Sequence, residues 1–397
     1  MMFSHLTKLP ADPILGLSAL FKADSNPEKV DLGVGVYKTA DGRTPILGAV
    51  QQAFARLSKE EGSKVYIAPS GWPGFTDACA KLVFGEDLVS DLGDRLGAIQ
   101  TPGGCGALRL AFELIAFSKP DTTIWVSTPT WANHVPTLAA AGLSHKPYAY
   151  YDQKTATVDV DGMLASLEGA KPGDVVLLHA CCHNPTGADL LLADWKRVAE
   201  LLRARELVPF LDMAYQGFAA GLEEDAEAVR MIFASQPEAL LSYSCSKNFG
   251  LYRERTGVLF AKGEQAAARD AFVTNLAQLA RANYSMPPAH GAALATTVLE
   301  DSDLRADWIM ELSSMRDRVN GLRRGLADAF AREGFGDRFS GVARQTGMFS
   351  LLSLSPEQVA MVQKDKSIYF PANGRINVAG LTDENIPYVA RSIASVL

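Results

Sequence analysis

The sequence predicts an α/β fold built on a mostly parallel sheet covered by helices on both faces. Three observations carry that expectation. Four short apolar runs are continuous rather than alternating: Thr123-Ile124-Trp125-Val126, Asp174 to Leu178, Val208-Pro209-Phe210-Leu211 and Glu238 to Leu241. Continuous apolar character marks strands buried on both faces, as in parallel sheets. Between the second and third runs, Trp195, Val198, Ala199 and Leu202 repeat at helical spacing, giving the strand–helix alternation of such a sheet. Each run also ends in a polar or aromatic cluster, and ligands of these sheets bind beyond the carboxyl ends of the strands.

A chain of 397 residues suits one large domain and a smaller one. Its 48% apolar and 21% charged residues are ordinary for a soluble protein with a sizeable core. The net charge of −7 argues against nucleic acid or an anionic membrane as the main partner. Five cysteines (Cys79, Cys105, Cys181, Cys182, Cys245) form an odd set without ligand spacing, and the adjacent pair cannot easily bridge. Reduced thiols in a cytoplasmic setting are expected. The first eight residues lack the apolar core of a signal peptide, and no run approaches a membrane span.

In chain order, residues 1–11 read as an arm, with Pro10 and Pro13 blocking a regular helix. Ile14 to Phe21 has helical apolar spacing. Lys29 to Tyr37 reads as strand and loop, with Gly33 and Gly35 set either for a turn or for close approach to a ligand. Tyr66 by itself carries no signal. Thr101-Pro102-Gly103-Gly104-Cys105-Gly106 leads into a helix with Ala107, Leu110, Ala111 and Leu114 on one face and an Arg109–Glu113 pair on the other. Glycines before a helix leave free N–H groups at the positive end of its dipole, a potential anion site, although such loops are also common without one. Trp308 through Leu326 keeps helical spacing for about five turns, enough to lead from a large domain (45–314) into a small one. The small domain is expected to use both ends of the chain, 12–44 and 315–397. It closes on Gly374 to Gly380, a strand-like run holding Arg375.

The chemistry centres on Ser244-Cys245-Ser246-Lys247-Asn248-Phe249-Gly250, followed by Arg253 and Arg255. A lysine among small polar residues at the end of a buried strand has its pKa pushed down by desolvation and by nearby arginines, which suits a nucleophile or base. A serine-rich turn with a snorkelling lysine reads equally well on these residues alone. The other strand ends add a carboxylate (Asp212), a phenol (Tyr215), an amide (Asn184), an indole (Trp131) and anion donors (Gly103 to Cys105, Ser244, Arg255). That set meets the needs of a pyridoxal phosphate site: a partner for the ring nitrogen, donors for the 3-oxygen and a phosphate cradle. His179 and His183 flank Cys181-Cys182, but no second ligand pair at zinc spacing accompanies them, so no metal is expected and the histidines read either as core or as supports behind the residues of the site.

These motifs resemble those of the fold-type I pyridoxal phosphate enzymes, specifically the class I aspartate and aromatic amino-acid aminotransferases. The resemblance runs from Asp12 to the C-terminus and is densest at Ser246 to Gly257, His183 to Gly187, Asp212 to Gly217, Arg281 to Pro288 and Gly374 to Gly380. It implies a three-layer fold with a smaller α+β domain, pyridoxal 5'-phosphate as cofactor, and a homodimer with active sites at the interface. It also implies roles. Lys247 carries the cofactor and moves the substrate proton; Asp212, backed by His134, pairs with the pyridine nitrogen. Tyr215 and Asn184 bond the 3-oxygen, and Trp131 stacks on the ring. Gly103, Gly104, Cys105, Ser244, Ser246 and Arg255 hold the phosphate, joined by Tyr66 from the second subunit. Arg375 grips the substrate α-carboxylate, and Arg281, also from across the interface, meets a distal carboxylate. Gly35, Phe349, Ile14 and Met286 belong to the substrate surroundings.

Departures bear on specificity. Cys105 stands where the family has threonine or serine, and a thiol is a weak donor. Met286 replaces the asparagine of aspartate-selective members, and Val65 precedes Tyr66 where a polar residue is common. Both make the surroundings of Arg281 more apolar, while Val36, Lys38 and Thr44 keep the aspartate-type pattern. The expectation is a transaminase handling phenylalanine, tyrosine, tryptophan and aspartate with 2-oxoglutarate. A narrow aspartate aminotransferase is the alternative, followed by a lyase or decarboxylase on the same fold and a non-enzymatic regulator. Retention of Arg281 and Arg375 speaks against the lyase, and retention of Lys247 and Asp212 against the regulator.

Overall fold

The continuous apolar runs become strands of one seven-stranded sheet. The computed structural model describes residues 2–8 and 13–397. In chain order the strands are β1 (Leu96–Pro102), β2 (Thr123–Thr128), β3 (Ser144–Ala149), β4 (Val175–His179), β5 (Val208–Met213), β6 (Ala239–Ser244) and β7 (Thr256–Lys262). Their spatial order is β1-β7-β6-β5-β4-β2-β3. Neighbours from β6 to β3 pair in parallel, and β7 alone runs against the rest.

Successive residues of the central strands are all apolar because they feed two different cores. Leu177, Phe210, Leu240 and Leu259 pack on one face with Leu110, Phe112 and Leu276. Leu178, Leu211, Leu241 and Phe260 pack on the other with Trp195, Val198 and Phe233. The helices involved include α1 (Gly103–Ser118), α2 (Leu192–Ala204) and α3 (Ala268–Asn283). Strand register sets His179 opposite Asp212 and Asp212 opposite Ser242, which brings three polar strand ends to one edge.

The long helix expected past residue 300 is α4 (Ser302–Arg332), 31 residues and about 46 Å at 1.5 Å per residue. Asp301 caps it by accepting from the N–H groups of Asp303 and Leu304. Its buried face includes Trp308, Leu312, Met315, Val319, Leu322 and Leu326. One charged residue shares that face: Arg323 is 1% exposed. Its guanidinium donates to the carbonyls of Val342, Thr346, Gly347 and Phe349 and to Ser350 Oγ, tying α4 to the strand that starts at Phe349. Burial lowers its pKa to about 10, so it stays charged at neutral pH. Arg323→Leu strands several buried carbonyls; an unfolding free energy lower by roughly 3 kcal/mol is expected, read from the urea midpoint.

The chain ends meet. Val30–Asp31 pairs in parallel with Ile368–Tyr369, and Tyr369 donates its hydroxyl proton to Asp24. Beside them β8 (Phe349–Leu351) runs antiparallel to β9 (Arg375–Asn377). One reading needs adjusting. Pro13 opens a helix (Pro13–Ala23) rather than blocking one, because proline lacks only an N–H that a first-turn residue has no use for. The stretch 29–37 is strand and loop as expected, with the two-residue strand Val30–Asp31 giving way to the loop around Gly33. Among the described residues, no helix is long and apolar enough to cross a membrane.

Candidate active site

A cavity of about 330 Å³ opens where the carboxyl ends of the parallel strands meet the loop before β7 and the side chain of Arg375. Its lining brings together Gly35, Gly104, Cys105, Trp131, Asn184, Asp212, Tyr215, Ser244, Ser246, Lys247, Arg255, Phe349 and Arg375. Residues from across the sequence converge because several strands of the sheet end here, and Gly35, Phe349 and Arg375 reach the same place from the part of the chain that holds the separate β8–β9 pair.

One end of the cavity is built for an anion. β1 runs straight into α1, whose first N–H groups have no partner within the helix. Side chains are excluded there. A Cβ on Gly103, which has φ +71°, would lie 2.7 Å from Arg255 Nη2, and one on Gly104 would lie 3.0 Å from Ser244 Cβ. Ser244 Oγ donates to Ser246 Oγ at 3.0 Å. Arg255 holds a left-handed backbone at φ +55° while its Nη1 donates to the Tyr252 carbonyl. Asn133, which the sequence did not single out, donates its amide to Cys105 Sγ at 3.2 Å.

Lys247 stands between this cradle and Asp212. Burial pushes its pKa down to about 8; Arg255 and Arg375 add to that effect and Asp212 opposes it. The arginine pairing differs from the expected one. Arg253 is 92% exposed and points away, whereas Arg375, 128 residues downstream, faces the amine. Lys247 Nζ also lies 4.7 Å from the centre of the Tyr215 ring.

Asp212 is 11% exposed, with His134 Nε2 3.2 Å from its Oδ2. Burial raises its pKa, but the hydrogen bond from His134 and the nearby Lys247 amine help outweigh that, and the carboxyl is held below its usual value. The tautomers follow from the partners. Asn184 N–H donates to His179 Nδ1 at 3.2 Å, so the His179 proton sits on Nε2, 3.4 Å from Thr130 Oγ1. Thr130 Oγ1 lies 2.8 Å from His134 Nδ1 and donates there, leaving the His134 Nε2 proton for Asp212. Burial lowers the His179 pKa to about 3, which keeps that ring neutral. Of the two readings open for His179, core or support from behind the site, the second fits: it lines the cavity and, through Thr130 and His134, helps orient the Asp212 carboxylate.

Arg375 comes from β9 and is 7% exposed. Its Nη2 donates to the Gly33 carbonyl at 2.7 Å, and its guanidinium sits 4.4 Å from the centre of the Phe349 ring. Its Nε is buried without a partner. Leaving such a donor unpaired costs about 1–3 kcal/mol, a cost an incoming carboxylate removes.

Five expected residues are not in this lining: Gly103 is buried behind it at the start of α1. Tyr66 is 86% exposed, Arg281 is exposed in the last turn of α3, and Met286 is half-buried nearby. The Ile14 side chain lies outside the described residues. Cys181, Cys182 and Asp225 bring potential ligand atoms within 4.8 Å of one another. The Asp225 carboxylate, however, already accepts backbone N–H bonds from Gly217, Ala219, Ala220 and Gly221, so it organises a loop.

A pyridoxal phosphate molecule fits this donor set: an amine beside a low-pKa carboxylate, a phenol and an amide, and a glycine-walled anion cradle at a helix start. Comparison with known proteins leads the same way. The family model described as aminotransferase class I and II matches residues 27–393. The aromatic-amino-acid aminotransferase of Pseudomonas aeruginosa is 48% identical over 396 residues, covering 99% of this chain and 98% of that protein. The aspartate aminotransferase of Escherichia coli K12 is 43% identical over 398 residues, covering 100% of each. Among solved structures, an aromatic amino acid aminotransferase with 3-indolebutyric acid superposes with a TM-score of 0.96 at 46% identity, covering 100% of both chains. The Burkholderia pseudomallei aromatic-amino-acid aminotransferase, covalently bound to pyridoxal phosphate, gives 0.96 at 41% identity, again covering 100% of both. With its full length matched and its strand-end residues gathered in one cavity, this chain belongs to the class I and II aminotransferases.

Proposed function

We propose that this chain is a pyridoxal phosphate-dependent transaminase that moves the amino group of aromatic amino acids and of aspartate to 2-oxoglutarate, acting as a cytoplasmic homodimer. The observation that carries this reading is the sharing of one cavity by Lys247, Asp212 and Arg375, with a buried, unpaired donor on the arginine. The cofactor, when bound, supplies an electron sink for the pair left at the substrate Cα as its proton departs.

The chain's own residues do the rest. Arg375 anchors the α-carboxylate common to every amino acid and sets Cα within reach of Lys247. The neutral amine of Lys247 takes the proton from Cα and returns it elsewhere, a task suited to a pKa near 8. Asp212, kept ionised by its chain of donors, would keep a proton on the cofactor's ring nitrogen. Tyr215 and Asn184 would bond its 3-oxygen, and Trp131 would cover its ring. Gly103, Gly104, Cys105, Ser244, Ser246 and Arg255 would hold its phosphate, with Tyr66 of the partner subunit. Arg281 of the partner subunit receives a distal carboxylate. The exposure of Val65 and Tyr66 supports this, since both side chains need a second subunit to cover them. Residues 45–314 form the cofactor domain, and 12–44 with 315–397 form the smaller one that carries Arg375. The reaction is ping-pong: the first 2-oxo acid leaves before 2-oxoglutarate enters.

Product analysis tests the reaction class. Glutamate and the matching 2-oxo acid should appear in equal amounts; release of ammonia or carbon dioxide instead contradicts it. Two further outcomes are expected. Lys247 must lose its proton before attacking a carbonyl, so cofactor uptake by the cofactor-free chain should rise with pH about a midpoint near 8, measured by stopped-flow absorbance. Thr130→Val removes the donor to His134 Nδ1 and frees that ring to change tautomer. Loss of one buried hydrogen bond should lower kcat roughly 5- to 10-fold, with a shifted pH profile that a merely structural role would not produce.

A further inference from the structure

We propose that Cys105 is a covalent-modification site guarded by the cofactor. A small neutral electrophile reaches its Sγ while the anion cradle is empty, and the resulting thioether then bars phosphate from the cradle. The inference rests on the functional reading above, because it takes the cradle's natural occupant to be the cofactor phosphate.

Of the five free thiols, Cys79, Cys181, Cys182 and Cys245 are buried, and Cys105 is the partly exposed one. Cys181 also touches the cavity, but it is 6% exposed, and its thiol is pushed well up by the Cys182 thiol and by burial. Cys105 sits in the first turn of α1 among unpaired N–H groups. Its lone pair already accepts from Asn133 Nδ2, and Lys247 and Arg255 share its cavity. That the cavity is made for an anion is supported independently by the buried, unpaired Arg375 Nε. Space is the second half of the argument. A single Cβ on Gly103 or Gly104 would already lie within 2.7 or 3.0 Å of Arg255 or Ser244, so a larger group on the adjacent Sγ occupies the room phosphate needs.

Iodoacetamide is the probe. Sγ displaces iodide from the methylene carbon, an S–C bond forms as the C–I bond breaks, and the thiol proton passes to solvent. The full chain is treated in three forms: loaded with pyridoxal phosphate, cofactor-free, and cofactor-free with inorganic phosphate. Adducts are counted by intact mass and placed by peptide mapping. The cofactor-free chain should gain one adduct, at Cys105, and Cys105→Ser should gain none at that rate. Cofactor at ten times its Kd should slow the reaction roughly tenfold, and phosphate should protect in proportion to its own occupancy. The alkylated chain should take up the cofactor at least about tenfold more weakly by absorbance titration, a loss that follows from filling the cradle. Equal rates in loaded and free protein, an adduct first at Cys181, or normal loading after alkylation would overturn the proposal alone. Failure of the unmodified chain to load the cofactor would overturn the functional reading and the proposal with it.

Discussion

Lys247→Ala abolishes turnover with every donor, with kcat falling by at least about 10⁴-fold, the upper range of what a positioned proton-transfer residue supplies. The expectation rests on placement more than on residue type. The amine follows β6, faces Asp212, and is depressed to a pKa near 8 by burial and two arginines, so a fraction of it is neutral at physiological pH. Alanine leaves the cradle and Arg375 in place; cofactor phosphate and substrate carboxylate should still bind, measured by equilibrium dialysis, while the proton has no carrier. Folding should be unharmed, because the substitution removes a desolvated charge, and an unchanged thermal midpoint shows it.

Arg375→Ala lowers kcat/KM for all amino acids alike. Removing one partner of a buried charge pair costs about 3–5 kcal/mol, roughly 10²- to 10³-fold or more. Arg375→Lys recovers only part of this, since an ammonium cannot present two parallel N–H donors to a carboxylate. Arg281→Ala gives the contrasting pattern. Aspartate and 2-oxoglutarate carry a second carboxylate and phenylalanine does not, so only the dicarboxylates should lose kcat/KM. Steady-state kinetics on the two variants separates an α-carboxylate clamp from a side-chain clamp. Equal losses for aspartate and phenylalanine in Arg281→Ala would contradict the assignment.

Much of this molecule was legible in its sequence where physics is local. The four apolar runs became β2, β4, β5 and β6 because a strand buried on both faces must be continuously apolar. Two strands gave no such signal: β3 is an edge strand with residues 144–147 exposed, and β1 is interrupted by Gly97 and Gln100. β7 carries the same signal in Val258-Leu259-Phe260-Ala261, a continuous apolar run that sequence reasoning passed over. The site divides similarly. Lys247, Asp212 and the glycines before α1 announce themselves by strand-end position and residue type. Asn133 and His179 act through contacts with Cys105 and Thr130 that depend on how separate loops meet above the sheet. Arg253 was read as a neighbour of Lys247 from proximity in sequence, whereas Arg375 takes that place through folding. Arg323 shows the same limit, since its partners lie 19 to 27 residues downstream and only the folding of the 342–350 segment against α4 supplies them.

The central claim is that one cavity serves both acidic and aromatic donors. Its most direct test is kcat/KM for aspartate, phenylalanine and tyrosine with 2-oxoglutarate on one preparation of the purified protein. Comparable values across the three are the expected result, and they would support the proposed apolar placement of Val65 and Met286 around Arg281. A value for phenylalanine several orders of magnitude below that for aspartate would contradict the claim, leaving a narrow aspartate aminotransferase in which those two residues do not set specificity.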